Sequence, residues 1–462
     1  MIKTSTATTR TFLKRSFDRV RNEEWKKNVL QAIPFWIASI ITGLVAVVYT
    51  RLFVLAESLT TFVFKQHEWW LFILTPVCFV GAWLMVKLFS PYARGSGIPQ
   101  VMAAIEISNP NTDKKVSKLL SIRIIVVKML SSLVMAIGGG AIGREGPTIQ
   151  IAASIYKKIN SLLPEWWPKL AKSSMIITGA AAGLAAAFNT PLGGIVFAIE
   201  ELTKTHFSYF KTAIFSSVII AGLTAQGILG PYLYLGYPKM GSLHNLIFLG
   251  VVVVAALSGL AGSIMSKIIL RLMMWKARFK FNYQHVLYIV VCALIMATIA
   301  CFIDYGILGS GKELMQQVLF TSDKYSIWYM PLLRIFGPIL SFATGAAGGI
   351  FAPALGAGAS IGSWVAGWFQ SSETNTNLLI LAGMVGFLTG VTRSPFTSTI
   401  LVLEMTDRHN VIFQLILAGM VASLIAILID KHSFYDHLKI MYIRDLDVEE
   451  QKEEEQKELE KA

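Results

Sequence analysis

Charge is what this 462-residue chain has least of: 15% of its residues are Asp, Glu, Lys or Arg, against roughly 25% in soluble domains. The shortage is uneven. Residues 29–430 carry 42 charges over 402 positions, whereas residues 1–28 carry eight basic and three acidic side chains and residues 431–462 carry six and ten. A water-soluble fold is excluded on that count alone. Cysteine is almost as scarce, with Cys78, Cys292 and Cys301 all in apolar runs and no CxxC pair. That rules out a disulfide framework and a thiolate metal site, and leaves three buried thiols. The seven histidines show no i, i+4 spacing and no grouping with cysteine, so neither a metal nor a cofactor is indicated. Residues 2–28 are basic and amphipathic but lack an apolar core followed by a small-residue cleavage site, so they read as an interfacial helix on the inner face of a membrane.

What is present is apolar: 54% of residues are hydrophobic, and stretches such as 33–49, 71–86, 247–265 and 411–429 have the length for a bilayer core, which takes about 20 helical residues. The chain reads as an all-α polytopic membrane protein. Its net charge of +13 is then accounted for by basic loops on the cytoplasmic side and does not require a nucleic-acid partner. Trp69, Trp70, Trp166 and Trp167 fit interfacial anchors.

Glycine punctuates the middle of the chain at 138–146 (GGGAIGREG), 179–183 (GAAAG) and 345–362 (GAAGGIFAPALGAGASIG). Apolar segments between these runs are often too short to span. Broken helices at membrane depth are tolerated where protein buries them or where they line a pathway. The punctuation also repeats. Residues 179–200 match 383–404 at an offset of 204, GREGP (143–147) aligns with GIFAP (349–353) at 206, and GSG recurs at 95–97 and 309–311. Three collinear pairs divide the chain into repeats over residues 29–235 and 243–430. Lys26 and Lys27 precede the first long helix, whereas Lys267, Arg271, Lys276, Arg278 and Lys280 follow its counterpart. If both clusters are cytoplasmic, the repeats are inverted, an arrangement of secondary transporters.

The helix starts at 95–99 (GSGIP) and 349–353 (GIFAP) bring unpaired backbone N–H groups inside, and Ser96 adds a hydroxyl. Neither start contributes Lys or Arg, so dipoles rather than full charges would hold an anion there, as suits one that must leave again. Close helix packing is the alternative use of such glycines. Three interior acids stand out. Glu145 opens a helix, where the ionised carboxylate could occupy an anion's place and vacate it on protonation; its alternative is to pair with an arginine. Glu200 recurs as Glu404 and reads as a cap or packing group. Glu201 meets Met405 in the other repeat, and that asymmetry suits a dedicated proton site. Two soluble-enzyme motifs fail on context. GILGSGKE (306–313) resembles a phosphate loop, but Glu313 replaces the required hydroxyl, and GASIG (358–362) lacks the strand and partners of a nucleophile elbow.

Together GSGIP (95–99), GREGP (143–147), GGIFAP (348–353) and Tyr435 resemble the CLC family of chloride channels and proton-coupled chloride transporters, over about residues 29–438. The resemblance implies two inverted repeats of tilted, broken helices, about 18 in all, and a homodimer with one pathway per subunit. It implies that Gly95, Ser96, Ile350, Phe351 and Tyr435 bind chloride, that Glu145 is the gate, and that Glu201 is the inner proton-transfer group. Family channels carry an apolar residue at that last position, so Glu201 favours chloride/proton exchange over the alternative, a passive voltage- or pH-gated channel. Ser96 fits a chloride filter, with Pro in its place in nitrate-preferring members. Gln100 departs from the family's GSGIPE and removes any ion pair made there. Arg144 and Glu106 remain as an expected pair bracing the gate. The dimer interface is expected near 191–201, 209–229, 394–406 and 411–429. Residues 431–462 would supply the filter tyrosine and an acidic, solvated cytoplasmic tail, with both termini on the inner side of a cell membrane.

Overall fold

The structure, a computed structural model, describes residues 23–109, 112–203, 211–230, 233–241, 247–369 and 372–459. Among these residues the regular elements are helices, and strand pairing is confined to two isolated bridges. The first repeat contains α1 (Glu23–Gln66), α2 (Leu71–Phe89), α3 (Ile98–Glu106), α4 (Asp113–Leu119), α5 (Ile122–Ile137), α6 (Glu145–Leu162), α7 (Lys172–Phe188), α8 (Pro191–Phe197) and α9 (Lys211–Leu229). The second contains α10 (Ile247–Lys276), α11 (Asn282–Phe302), α12 (Lys312–Phe320), α13 (Met330–Ala343), α14 (Phe351–Trp368), α15 (Glu373–Thr392), α16 (Pro395–Thr406) and α17 (Ile412–Ile429), and α18 (Phe434–Leu459) follows. Eight of the described helical segments are long and apolar enough to cross a membrane. Much of the interfacial helix expected over 1–28 lies outside the described residues, and residues 23–28 already belong to α1.

The backbone repeats as the sequence does. Left-handed conformations recur at Gly95 (φ +64°) and Gly309 (φ +67°), at Gly97 (+105°) and Gly311 (+89°), at Gly139 (+77°) and Gly345 (+81°), and at Asn189 (+58°) and Arg393 (+63°). Each GSG therefore turns the chain into a short helix through two left-handed residues that glycine adopts without strain. The two repeats meet at two bridges, of which Gly95 with Ala347 is parallel and the one between equivalent residues is antiparallel. Gly143 and its counterpart Gly349 form an antiparallel bridge.

Glu200 and Glu404 supply the clearest sign of that symmetry. The Glu404 carboxylate accepts from Leu192 N (3.0 Å) and Gly193 N (2.6 Å) at the start of α8. Glu200, just past the end of α8, accepts from Phe396 N (3.2 Å), Thr397 N (2.6 Å) and Thr397 Oγ1 (2.7 Å) at the start of α16. Each repeat thus caps the orphan donors of the other, because the end of one helix lies against the beginning of its counterpart. Glu404→Ala strips α8 of both acceptors and is expected to lower stability by about 1–2 kcal/mol. Thermal unfolding in detergent measures this, and an unchanged midpoint would reject the capping role.

α10 runs on to Lys276, so Lys267, Arg271 and Lys276 of the basic cluster expected after it lie within the helix, and two of them have local structural partners. Lys267 Nζ donates to Ile429 O (2.5 Å) at the end of α17, and buried Lys276 donates to Ala343 O (3.2 Å) and Thr344 O at the end of α13. Both sit where helix C-termini favour a cation.

Candidate anion pathway and its carboxylates

Three helix starts converge on Ser96. The strand-like segment at Gly95 is held to the 346–348 loop by Gly95 N to Ala346 O (2.9 Å) and Gly348 N to Gly95 O (3.0 Å). The GREGP and GIFAP turns are locked together by Gly143 N to Gly349 O (2.8 Å) and Gly349 N to Gly143 O (2.6 Å). Pro99, Pro147 and Pro353 lie in the first turns of α3, α6 and α14, where a missing N–H costs nothing. Glycine is required for the close approach at 146: a Cβ there would stand 2.3 Å from Ser96 Oγ. The positive ends of α3, α6 and α14 therefore meet at one hydroxyl.

Ser96 and Tyr435 are 1% and 0% exposed, and neither hydroxyl makes a well-formed hydrogen bond to a protein acceptor beyond the other. They are neighbours, and the Tyr435 ring is fixed by Phe351 at 6.0 Å and Phe434 at 5.6 Å between centroids. Two buried hydroxyls beside helix N-termini, with no acceptor beyond each other, fit a small anion, because at least one donor is left for it. Ile350 and Phe351 open α14, so their N–H groups belong to the first turn, which no preceding turn can satisfy.

Glu145 is 1% exposed at the first position of α6. Its Oε1 accepts from Tyr234 Oη (3.3 Å) and lies 3.8 Å from Arg144 Nε, while Oε2 has no partner. The expected pairing of Arg144 with Glu106 is not formed. Glu106 binds Lys439 on α18 at 2.7 Å, at the exposed end of α3, and Arg144 stays beside its own neighbour because both occupy the start of α6. Glu201, 6% exposed, sits in a π-helical turn (Ala198–Leu202) and accepts from Ser394 Oγ at the start of α16.

The loop before Ser96 is braced by side chains that pattern reading passed over. Lys128, fully buried on α5, donates to Ala93 O (2.9 Å), Arg94 O (3.4 Å) and Gly95 O (2.8 Å). Gln100 Nε2 donates to Tyr92 O (3.1 Å) and Arg94 O (2.6 Å), so an amide does by hydrogen bonding what no ion pair is needed for. In the second repeat Arg334 on α13 donates to Gly306 O (2.9 Å), Leu308 O (2.9 Å) and Gly309 O (3.2 Å). One buried cation clamps each GSG loop from the equivalent helix. A basic side chain therefore does stand behind the first helix start, which the motif alone did not reveal. The available signal was a Lys or Arg inside an apolar helix, a rare and costly placement.

The acidic tail is a docked helix and not merely a solvated one. Arg94 pairs with Asp445 (2.5 Å), Lys115 with Asp447 (2.8 Å) and Glu450 (2.6 Å), and Lys118 with Glu449 (3.3 Å) and Glu453 (2.7 Å). The Lys118 ammonium holds the Glu453 carboxyl below the usual carboxylate range. Such exposed pairs are individually worth about 0–1 kcal/mol, but together they tie α18, which carries Tyr435, to α4 and, through Arg94, to the loop before Ser96.

Known proteins resemble this chain in sequence and in fold. The H(+)/Cl(-) exchange transporter ClcA of Salmonella typhimurium is 28% identical over 450 residues, covering 90% of this chain and 91% of that protein. The same-named protein of Citrobacter koseri is 28% identical over 408 residues, covering 84% and 83%. Among solved structures, a slow cyanobacterial Cl-/H+ antiporter superposes with a TM-score of 0.78 at 22% identity, over 90% of this chain and 98% of that one. A CLC-type fluoride/proton antiporter gives 0.74 at 20% identity, over 90% and 98%. At that identity the superpositions speak to the fold. Residues 77–427 match the family model described as voltage gated chloride channel, and with that match across most of its length the chain belongs to the CLC family of voltage-gated chloride channels.

Proposed function

We propose that the protein exchanges chloride for protons across a cell membrane. The observation that carries the reading is the meeting of Ser96 and Tyr435, two buried hydroxyls side by side at the helix starts, in a chain that also buries the carboxylates Glu145 and Glu201. Chloride is held by Ser96, Tyr435, the Gly95 turn and the N–H groups of Ile350 and Phe351. Glu145 competes for the same helix-end field when ionised and withdraws when protonated. Glu201 passes the proton on the inner side. Relatives named as exchange transporters support this assignment.

The active unit is a homodimer. Exposed apolar side chains on the four expected interface helices support it, among them Leu192, Leu223, Phe396 and Leu424 on α8, α9, α16 and α17. Residues 209 and 210 of that expected surface lie outside the described residues. Both termini face the cytoplasm, in keeping with the exposed basic residues Arg271 in the last turns of α10 and Arg278 and Lys280 after it.

The test is a liposome assay that records chloride and proton movement together. Chloride and protons moving in opposite directions carry charge of the same sense, so with a counter-ion path supplied an imposed chloride gradient should drive protons opposite to the chloride flow. Chloride flux without proton movement would overturn exchange in favour of passive conduction. In the same assay Ser96→Pro should shift preference from chloride towards nitrate, by roughly tenfold if one hydroxyl hydrogen bond to the anion is lost. An unchanged preference would remove Ser96 from the filter.

A further inference from the structure

Tyr234 lies in the 233–241 segment joining the two repeats, where neither charge nor repetition singles it out. Leu235 N, donating to Met405 O (3.2 Å), ties this segment to the end of α16. The Tyr234 side chain is 2% exposed, with Phe188 edge-on at 5.0 Å, and its hydroxyl donates to Glu145 Oε1. On the ring, 4.7 Å from its centroid, sits Lys312 Nζ. Lys312 is the first residue of α12, at the GSGK start left unexplained by any phosphate-loop chemistry. Its counterpart after the first GSG is Ile98, so this kind of helix start does not itself demand a cation. Lys312 is also on the wall of a cavity of about 340 Å³ shared with Glu57 and Arg334.

We propose that Tyr234 and Lys312 form a latch that holds ionised Glu145 across the pathway and thereby sets the pH at which the pathway opens. The proposal rests on Glu145 being the gate. Its physical basis is selectivity for the charged form: a phenol donates a stronger hydrogen bond to a carboxylate than to a neutral acid, and an ammonium beyond the ring attracts the carboxylate alone. The groups facing Glu145 are Arg144 on α6, Glu57 and Tyr49 on α1, Tyr234 in the connecting segment, Lys312 on α12 and Tyr435 on α18. Arg144 and Lys312 favour the ionised form, Glu57 opposes it, and the hydroxyl of Tyr234 is the neutral donor bonded to it. Tyr234 is therefore a positioning residue.

The experiment is the pH dependence of chloride efflux from liposomes, read for wild type, Tyr234→Phe, Lys312→Met and Lys312→Arg. Losing the donor or the charge makes protonation easier, so the midpoint for activation should move to higher pH by about half to one unit in Tyr234→Phe and in Lys312→Met. Lys312→Arg should stay near wild type. A merely structural role would lower the rate at every pH and leave the midpoint in place, and that outcome in both variants overturns the latch. Chloride efflux without pH dependence in the wild type would overturn it too. Proton flux recorded alongside keeps the readings apart: absent proton movement removes exchange, while the midpoint still judges the latch.

Discussion

Glu145→Gln is expected to abolish proton movement and flatten the pH dependence of chloride flux while chloride still passes. Glutamine keeps the shape of the side chain but neither binds a proton nor carries the negative charge that competes with an anion. At the start of α6 the carboxylate gains from the helix end and from Arg144, with Tyr234 donating to it. Charge placed at a helix N-terminus is worth about 1–2 kcal/mol in partly buried geometry, equivalent to roughly a 5- to 30-fold change in occupancy. Chloride flux at neutral pH should therefore rise towards its acid-pH value. The rates are measured in liposomes across the acid-to-neutral range. A variant that kept a normal pH response would show that another group gates the pathway.

Glu201→Gln should separate the two ions in a different way. Chloride flux and its pH dependence persist, because Glu145 is intact, but protons no longer follow chloride. The reason is location. Glu201 sits in the π-helical turn at the end of α8, bonded to Ser394, whereas Glu145 stands at the start of α6 beside the Gly143–Gly349 bridge. Its neighbour Glu200 points to the start of α16 and is occupied as a cap, so Glu200→Gln should reduce stability and leave coupling in place. Chloride-to-proton coupling in Glu201→Gln equal to wild type would reject the proton role assigned to this residue.

The contrast between Glu200 and Glu201 also marks how far a sequence can be read. Repetition at Glu404 identified Glu200 as structural, and the structure supplies the reason, a reciprocal cap between antiparallel copies of one helix. The GSG starts were legible because left-handed turns leave a glycine signature. The 204-residue offset was legible in Pro191/Pro395 and Glu200/Glu404, which start and cap the same helix in both repeats, whereas the left-handed ending before them left no mark because one repeat uses Asn189 and the other Arg393. Lys128, Arg334 and Tyr234 were not assigned. Their partners are carbonyls or a carboxylate far along the chain, and a backbone carbonyl has no residue identity to recognise.

Composition, run length and spaced glycines were enough to determine a helical membrane protein of two related halves, because bilayer thickness and left-handed turns constrain residue type directly. They were enough, too, to single out Glu145 and Glu201, since carboxylates are rare where burial penalises charge. The pairings were decided by the tertiary structure alone. Arg144 remains beside Glu145, Glu106 goes to Lys439, Gln100 and Lys128 brace the loop before Ser96, and Tyr234 reaches Glu145 from the segment between the repeats. The physical reason is that a polar group excluded from water takes whichever donor or acceptor packing brings within about 3 Å, and sequence spacing does not determine that neighbour once helices break and cross.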